Sequence, residues 1–156
     1  MAFPSTDNYG HSFGLWSYFL EIYHSGTVLP LLFTVKINKN KDFLALYNKG
    51  AAVSDNNCLV YFRKNKLPVN RIGISTGKKM GNAVKRSRAR RVIRQAYREC
   101  ELLMPIGFDI VVCARKGAAE CKSYEIASFF RRRLIPKMND PDAFKPRNKG
   151  VKNHKK

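Results

Sequence analysis

From residue 42 onward the apolar positions of this chain switch between a period near 3.6 and a period near two, and each switch marks an element. DFLALYNK at 42–49 sets Phe43 and Tyr47 one helical turn apart, with Asp42 placed to cap the start, so a short helix is predicted. CLVYFR at 58–63 is rich in β-formers and predicts a strand, with Leu59 and Tyr61 on one face and Val60 and Phe62 on the other. The charged, proline-containing KNKLPVN that follows reads as a connecting loop. RIGISTG at 71–77 sets Ile72, Ile74 and Thr76 against Gly73 and Ser75, which predicts a second strand. Gly77 to Gly81 read as a loop, and Asn82 is placed to cap a helix over about 83–100. That helix carries a stripe of Ala89, Val92, Ile93, Ala96, Tyr97 and Cys100 at helical spacing, with Arg88, Arg91, Arg94 and Arg98 opposite. FDIVVCA at 108–114 is a near-continuous apolar run, as in a strand buried on both faces. Ser123 is placed to cap a last helix that turns Ile126, Ala127, Phe130 and Leu134 inward and ends at Pro136.

The segment before these elements has another character. Residues 1–35 contain no Lys or Arg, and all 30 basic residues lie from Lys36 onward. The opening is aromatic and apolar (Phe13, Leu15, Trp16, Tyr18, Phe19), followed by VLPLLFTV. It lacks the basic start of a signal peptide, and Glu21, His24 and Pro30 break its apolar runs below the ~20 residues needed to span a bilayer. Residues 1–33 are therefore read as an appendage, such as upstream sequence taken in by an early start codon. A small partner-docking or membrane-touching helix is the alternative. The functional domain is placed at 34–138, and residues 139–156, basic and poor in apolar side chains, are expected to form a disordered tail.

Charge narrows the partner. Lys and Arg number 30 against 11 Asp and Glu, a formal charge of +19 in a chain one domain long. Such a domain usually meets nucleic acid, although an anionic membrane or an acidic protein would satisfy the same charge. Four cysteines, at 58, 100, 113 and 121, form no CxxC pair, and the histidines at 11, 24 and 154 lie far from them, so no metal–thiolate site is expected. Cys58 and Cys113 lie in apolar runs and read as core residues. Without a secretion signal, a cytoplasmic protein with reduced thiols is the default.

No self-contained catalyst is visible. The nine acidic residues from 36 onward are scattered, histidine is absent between 25 and 153, and no GxxxxGK[ST], HExxH or GxSxG pattern occurs. No catalytic residue is assigned. Binding chemistry is present in three parts. Arginines at 86, 90, 94 and 98 recur every four residues, and seven basic residues face one acid, Glu99, across 83–100. Like charges so spaced repel by roughly 0.2–0.5 kcal/mol per pair, a cost that a phosphate-rich partner offsets. A merely solvated charged face is the bland alternative, and the lack of acids argues against it. Lys78 and Lys79 precede the Asn82 cap, where a helix N-terminus already favours anions, although a lysine pair in a loop is weak by itself. Phe43, Tyr47 and Tyr61 offer stacking surface for unpaired bases, or else belong to the core; the sequence alone leaves these two readings even.

KKMGNAVKRSRARRVIRQAY, Lys78 to Tyr97, resembles the arginine-rich signature of the protein subunit of bacterial ribonuclease P, roughly KKxGNAVxRNxxKRxxR. KNKDF–x3–Y–x2–G at 39–50 is similar to that family's first helix and turn, and FDIVVCARKGA at 108–118 to its later strand. The resemblance covers about 34–135. Ser87 departs from it, standing where the family usually carries asparagine, and an arginine, Arg90 or a near equivalent, stands where it carries lysine.

The resemblance implies an α+β sandwich: a mixed four-stranded sheet packed with about three helices, ribosomal-protein-like, with a left-handed βαβ crossover. It implies a ribonucleoprotein endonuclease that removes the 5′ leader from precursor tRNA, in which the RNA subunit is the catalyst and binds most of the Mg²⁺. The partners implied are that RNA and precursor tRNA, with no membrane and no obligate protein partner. The implied RNA-binding set is Lys78, Lys79, Asn82, Lys85, Arg86, Ser87, Arg88, Arg90, Arg91, Arg94 and Arg98. The implied leader-binding cleft holds Phe43, Tyr47 and Tyr61, joined by the basic groups Lys79, Arg86, Arg90 and Arg94. Two other classes remain open: a structural RNA-binding protein such as a ribosomal protein, and a DNA-binding protein, for which only Gln95 is available to read base edges from the helix.

Overall fold

The computed structural model describes residues 31–144; the expected appendage up to residue 30 and the tail beyond 144 lie outside the described residues. The strands are β1 (Thr34–Lys36), β2 (Ala51–Ser54), β3 (Cys58–Lys64), β4 (Asn70–Thr76) and β5 (Phe108–Ala114). They form one mixed sheet in the order β1-β4-β5-β3-β2, with β1, β4 and β5 parallel and the pairs β5–β3 and β3–β2 antiparallel. The helices are α1 (Asn40–Lys49), α2 (Ala83–Arg98) and α3 (Ser123–Phe129), which runs on through a π turn at Phe130–Leu134 into α4 (Ile135–Asn139).

The class is α+β as expected, but the sheet has five strands where four were expected. The two strands without a pattern in the sequence, β1 and β2, are three and four residues long, too short for alternation to show. Tertiary contacts define them instead. The Glu101 carboxylate accepts from the backbone N–H groups of Leu32 and Phe33 at 3.1 and 3.0 Å, which fastens the chain just before β1. Asp55 Oδ1 accepts from the N–H groups of Asn57 and Cys58 at 2.9 and 2.8 Å, which closes the β2–β3 hairpin.

Strand alternation sorts the side chains onto two unequal faces. Cys58, Val60 and Phe62 of β3, Ile72 of β4, and Ile110 and Val112 of β5 face α2 and α3 in the main core. There they meet Ala89, Ile93, Ala96 and Tyr97 from the predicted stripe of α2, and Ile126, Ala127, Phe130 and Leu134 from the last helix. Each large apolar side chain fully buried there contributes roughly 1.5–3 kcal/mol. Among the described residues the other face is covered by α1, over a small second core of Ile37, Leu46 and Val111.

Three predicted details differ. Asp42 does not cap α1, which starts two residues earlier; its carboxylate is drawn to Arg71 instead. Ser123 is the first residue of α3 rather than its cap, and Glu125 closes the start by accepting from the Lys122 N–H at 2.8 Å. The last helix does not stop at Pro136. Proline lacks an N–H and crowds the carbonyl four residues back, but the π turn just before it takes up the misfit, with Ile135 N–H bonded to Phe130 O. Past Asn139 the chain stays on the domain as far as described: Phe144 packs edge-on against Phe62 at 5.8 Å between ring centroids.

Candidate nucleic-acid interface

The predicted cap of α2 is present: Asn82 Oδ1 accepts from Lys85 N–H at 3.0 Å. The chain reaches it through a 3-10 turn, Lys78–Met80, anchored by buried Met80 while Lys78 and Lys79 stand exposed. Gly81 follows at φ +115°, a conformation that favours glycine.

The four-residue arginine spacing does not make a straight row. At 3.6 residues per turn, each step of four precesses by about 40°, so three steps carry the row a third of the way round the helix. Arg86 Nη1 donates to Gly81 O at 2.7 Å and Arg90 Nη1 to Thr76 Oγ1 at 3.0 Å, which gathers both beside Lys78 and Lys79 at the end of β4. Arg94 is exposed, with no hydrogen bond or ion pair among the described residues. Arg98 is half-buried and its Nε has no hydrogen-bond partner among the described residues. On the opposite flank Arg88 Nε donates to Ala119 O at 2.7 Å, and Ser87, Arg88 and Arg91 line a groove. The helix therefore presents cations on two flanks. Lys85 alone among them meets a carboxylate, Glu120, in an exposed pair at 3.8 Å.

The aromatic set lies on the other face of the sheet. The rings of Phe43 and Tyr47 stand 6.5 Å apart, and Tyr47 meets Tyr61 edge-on at 5.2 Å. All three are half-buried, so each is at once part of the second core and part of an open floor. Phe43 lies so close over β4 that a Cβ on Gly73 would fall 2.5 Å from its ring, which explains the glycine in that strand. Arg86, Arg90 and Arg94, which the resemblance also assigned to the cleft, stand on α2 across the sheet; Arg90 is hydrogen-bonded to Thr76, the last residue of β4, and Arg86 to Gly81 just beyond it.

Two features of this face were not visible in the sequence. Cys113 packs against the second core rather than the main one: it is half-buried beside the aromatics, with its Sγ donating to Tyr47 Oη at 3.8 Å. Its place at alternate positions with Asp109 and Val111 was the available signal. The second is a clamp. Arg71 holds Asp109 through two 2.6 Å bonds and reaches Asp42 of α1 at 3.1 Å, while Asn65 Nδ2 donates to Asp109 at 2.9 Å. Burial would raise the Asp109 carboxyl, 1% exposed, but the bonds from Arg71 and Asn65 outweigh it and hold it below the ordinary value. The bond to Asp109, against the cost of burial, holds the Arg71 guanidinium above its own. This part-buried network joins α1 to β4 and β5.

Burial raises the Tyr47 hydroxyl and all four thiols, so the cysteines are protonated side chains rather than nucleophiles. Among the described residues no three His, Cys, Asp or Glu side chains gather to hold a metal ion, and no helix is long and apolar enough to cross a membrane. The arrangement offers exposed cations along α2 and half-buried rings beside α1.

The family model Ribonuclease P matches residues 33–137. The Ribonuclease P protein component of Alkaliphilus metalliredigens is 39% identical over 93 residues, covering 60% of this chain and 84% of the relative. A solved structure of the Staphylococcus aureus RNase P protein superposes with a TM-score of 0.56 at 33% identity, covering 70% of this chain and 96% of that one. The RNase P protein from Thermotoga maritima gives 0.57 at 29% identity, covering 64% and 94%. With the match spanning the sheet, the clamp and the arginine helix, this chain belongs to the ribonuclease P protein family.

Proposed function

We propose that this chain is the protein component of a ribonucleoprotein that removes the 5′ leader from precursor tRNA, with α2 bound to the catalytic RNA and the aromatic floor bound to the single-stranded leader. The observation that carries the reading is the separation of two surfaces on one domain. A cationic helix suits a folded polyanion, whose phosphates are accessible everywhere. A half-open aromatic floor suits unpaired bases, which stack at about 1–3 kcal/mol each. Phe43, Tyr47 and Tyr61 hold the leader extended, and the α1 clamp keeps their spacing. Arg86, Arg90, Lys78 and Lys79 neutralise phosphates at the end of β4, while Arg88, Arg91, Arg94 and Arg98 extend along the RNA subunit.

The metal of the proposed reaction is Mg²⁺, held mainly by the RNA subunit. Bound there, it would activate water and stabilise the leaving oxygen in phosphodiester hydrolysis. This chain's share is to bind and orient. No membrane and no obligate protein partner is required, and the proposed compartment is the cytoplasm.

Cleavage of precursor tRNA tests the proposal. The protein alone is expected to cut nothing, and to raise cleavage by its RNA subunit at low Mg²⁺. Cleavage by protein alone, or no enhancement, overturns it; stable co-purification with ribosomal subunits and no effect on cleavage would favour a structural ribosomal role. Arg94→Ala is the cleanest probe of α2, since its guanidinium holds nothing within the described domain. It should lower the slope of log affinity against log salt by about 0.7–0.9.

A further inference from the structure

Between α2 and the residues entering α3 runs a groove of about 830 Å³, within the roughly 300–1,000 Å³ range of small-ligand sites. Its α2 wall carries Val84, Ser87, Arg88, Arg91 and Gln95, and Lys122 and Ser123 face them. Val84 is the anomaly. It is 74% exposed, an apolar β-branched residue in the first turn of an arginine helix. With Val92 and Cys121 it gives the groove an apolar floor.

The polar groups around that floor are braced. Ser123 Oγ donates to Glu99 Oε1 at 2.9 Å, and Gln95 Nε2 donates to the same oxygen at 3.4 Å. Arg88 is fixed through Nε, which leaves its remaining N–H donors for a ligand. Arg88, Arg91 and Lys122 supply three cations, and no carboxylate lines the groove.

An RNA duplex does not need this combination. It offers phosphates and 2′-hydroxyls and keeps its base faces stacked inside, so an apolar floor would have nothing to cover. An unpaired nucleotide needs all of it: an apolar or guanidinium surface for the base face, a polar group for the base edge, and a cation for the phosphate.

We infer that this groove takes an unpaired nucleotide of the RNA subunit, the base lying on Val84 and Val92, its edge met by Gln95 and Ser123, and its phosphate by Arg88, Arg91 or Lys122. The inference rests on the proposed function and adds to it a site on the flank of α2 turned away from Arg90.

Two measurements on the full chain with its RNA subunit decide it. Val84→Cys, carrying a photoreactive aryl azide on the new thiol, should cross-link to one or two nucleotides of an unpaired region. Gln95→Ala should weaken binding about tenfold with the salt slope unchanged, because no charge is lost. Alanine at this exposed helical position favours the helix, so folding is not at issue. Cross-links spread over base-paired helices, or no cross-link, or full affinity in Gln95→Ala, would overturn the inference. If Arg94→Ala still lowers the slope in that case, RNA binding by α2 stands and the groove alone fails. If that slope is also unchanged, the proposed function fails with it.

Discussion

The two faces of the sheet are made from the same strands yet do opposite work. On one, β3, β4 and β5 set Val60, Phe62, Ile72, Ile110 and Val112 against two helices and leave no opening. On the other, the alternate residues Tyr61, Gly73, Val111 and Cys113 meet, among the described residues, one ten-residue helix whose buried residue is Leu46. The difference follows from coverage rather than strand composition. Where two helices pack, apolar side chains are fully withdrawn from water; where one helix packs, aromatics of the same strands remain half-exposed and available to a ligand. The aromatic floor is thus the face of the sheet that the second, smaller core leaves half-open.

That contrast can be broken at three points. Phe62→Ala should cost about 3–5 kcal/mol in chemical denaturation, because it opens a cavity in the closed face. Asp109→Asn should come next, at about 2–3 kcal/mol, since it leaves Arg71 without its main partner, discounted because Arg71 remains partly exposed. Asp109 has its folded-state pKa lowered, so its contribution is present above the ordinary carboxylate value and is lost as pH falls through the folded one. The gap between wild type and Asp109→Asn should therefore hold at neutral pH and shrink below about pH 4, read from unfolding curves at stepped pH. A gap that is constant down to pH 2 would remove the carboxylate from the clamp. Tyr61→Ala should cost least, about 1 kcal/mol, as a half-buried ring on the open face. Its larger effect should be on binding: a loss of about 1–3 kcal/mol for precursor tRNA with a leader, and none for tRNA without one. Equal destabilisation by Phe62→Ala and Tyr61→Ala would erase the distinction between the faces.

Much of this was legible in local pattern. The strands at 58–64, 70–76 and 108–114, the Asn82 cap and the buried stripe of α2 are short-range features, and alternation or helical spacing encodes them directly. The arginine signature was likewise readable as a run. What the pattern could not carry was direction and partnership. It gave Arg86, Arg90, Arg94 and Arg98 one common face, whereas helix precession and the positions of Thr76 and Gly81 divide them.

Sequence alone determined that this is a basic domain of strands and helices with an arginine helix, because charge, period and motif are properties of neighbours along the chain. Tertiary structure alone decided that Asp42 serves Arg71 rather than a cap, that Cys113 lies in the open floor, and that a groove runs beside Val84. Asp42 and Arg71 are 29 residues apart, and Tyr47 and Cys113 are 66 apart. Bonds over such separations depend on which elements the sheet order makes adjacent, and no local period records that order.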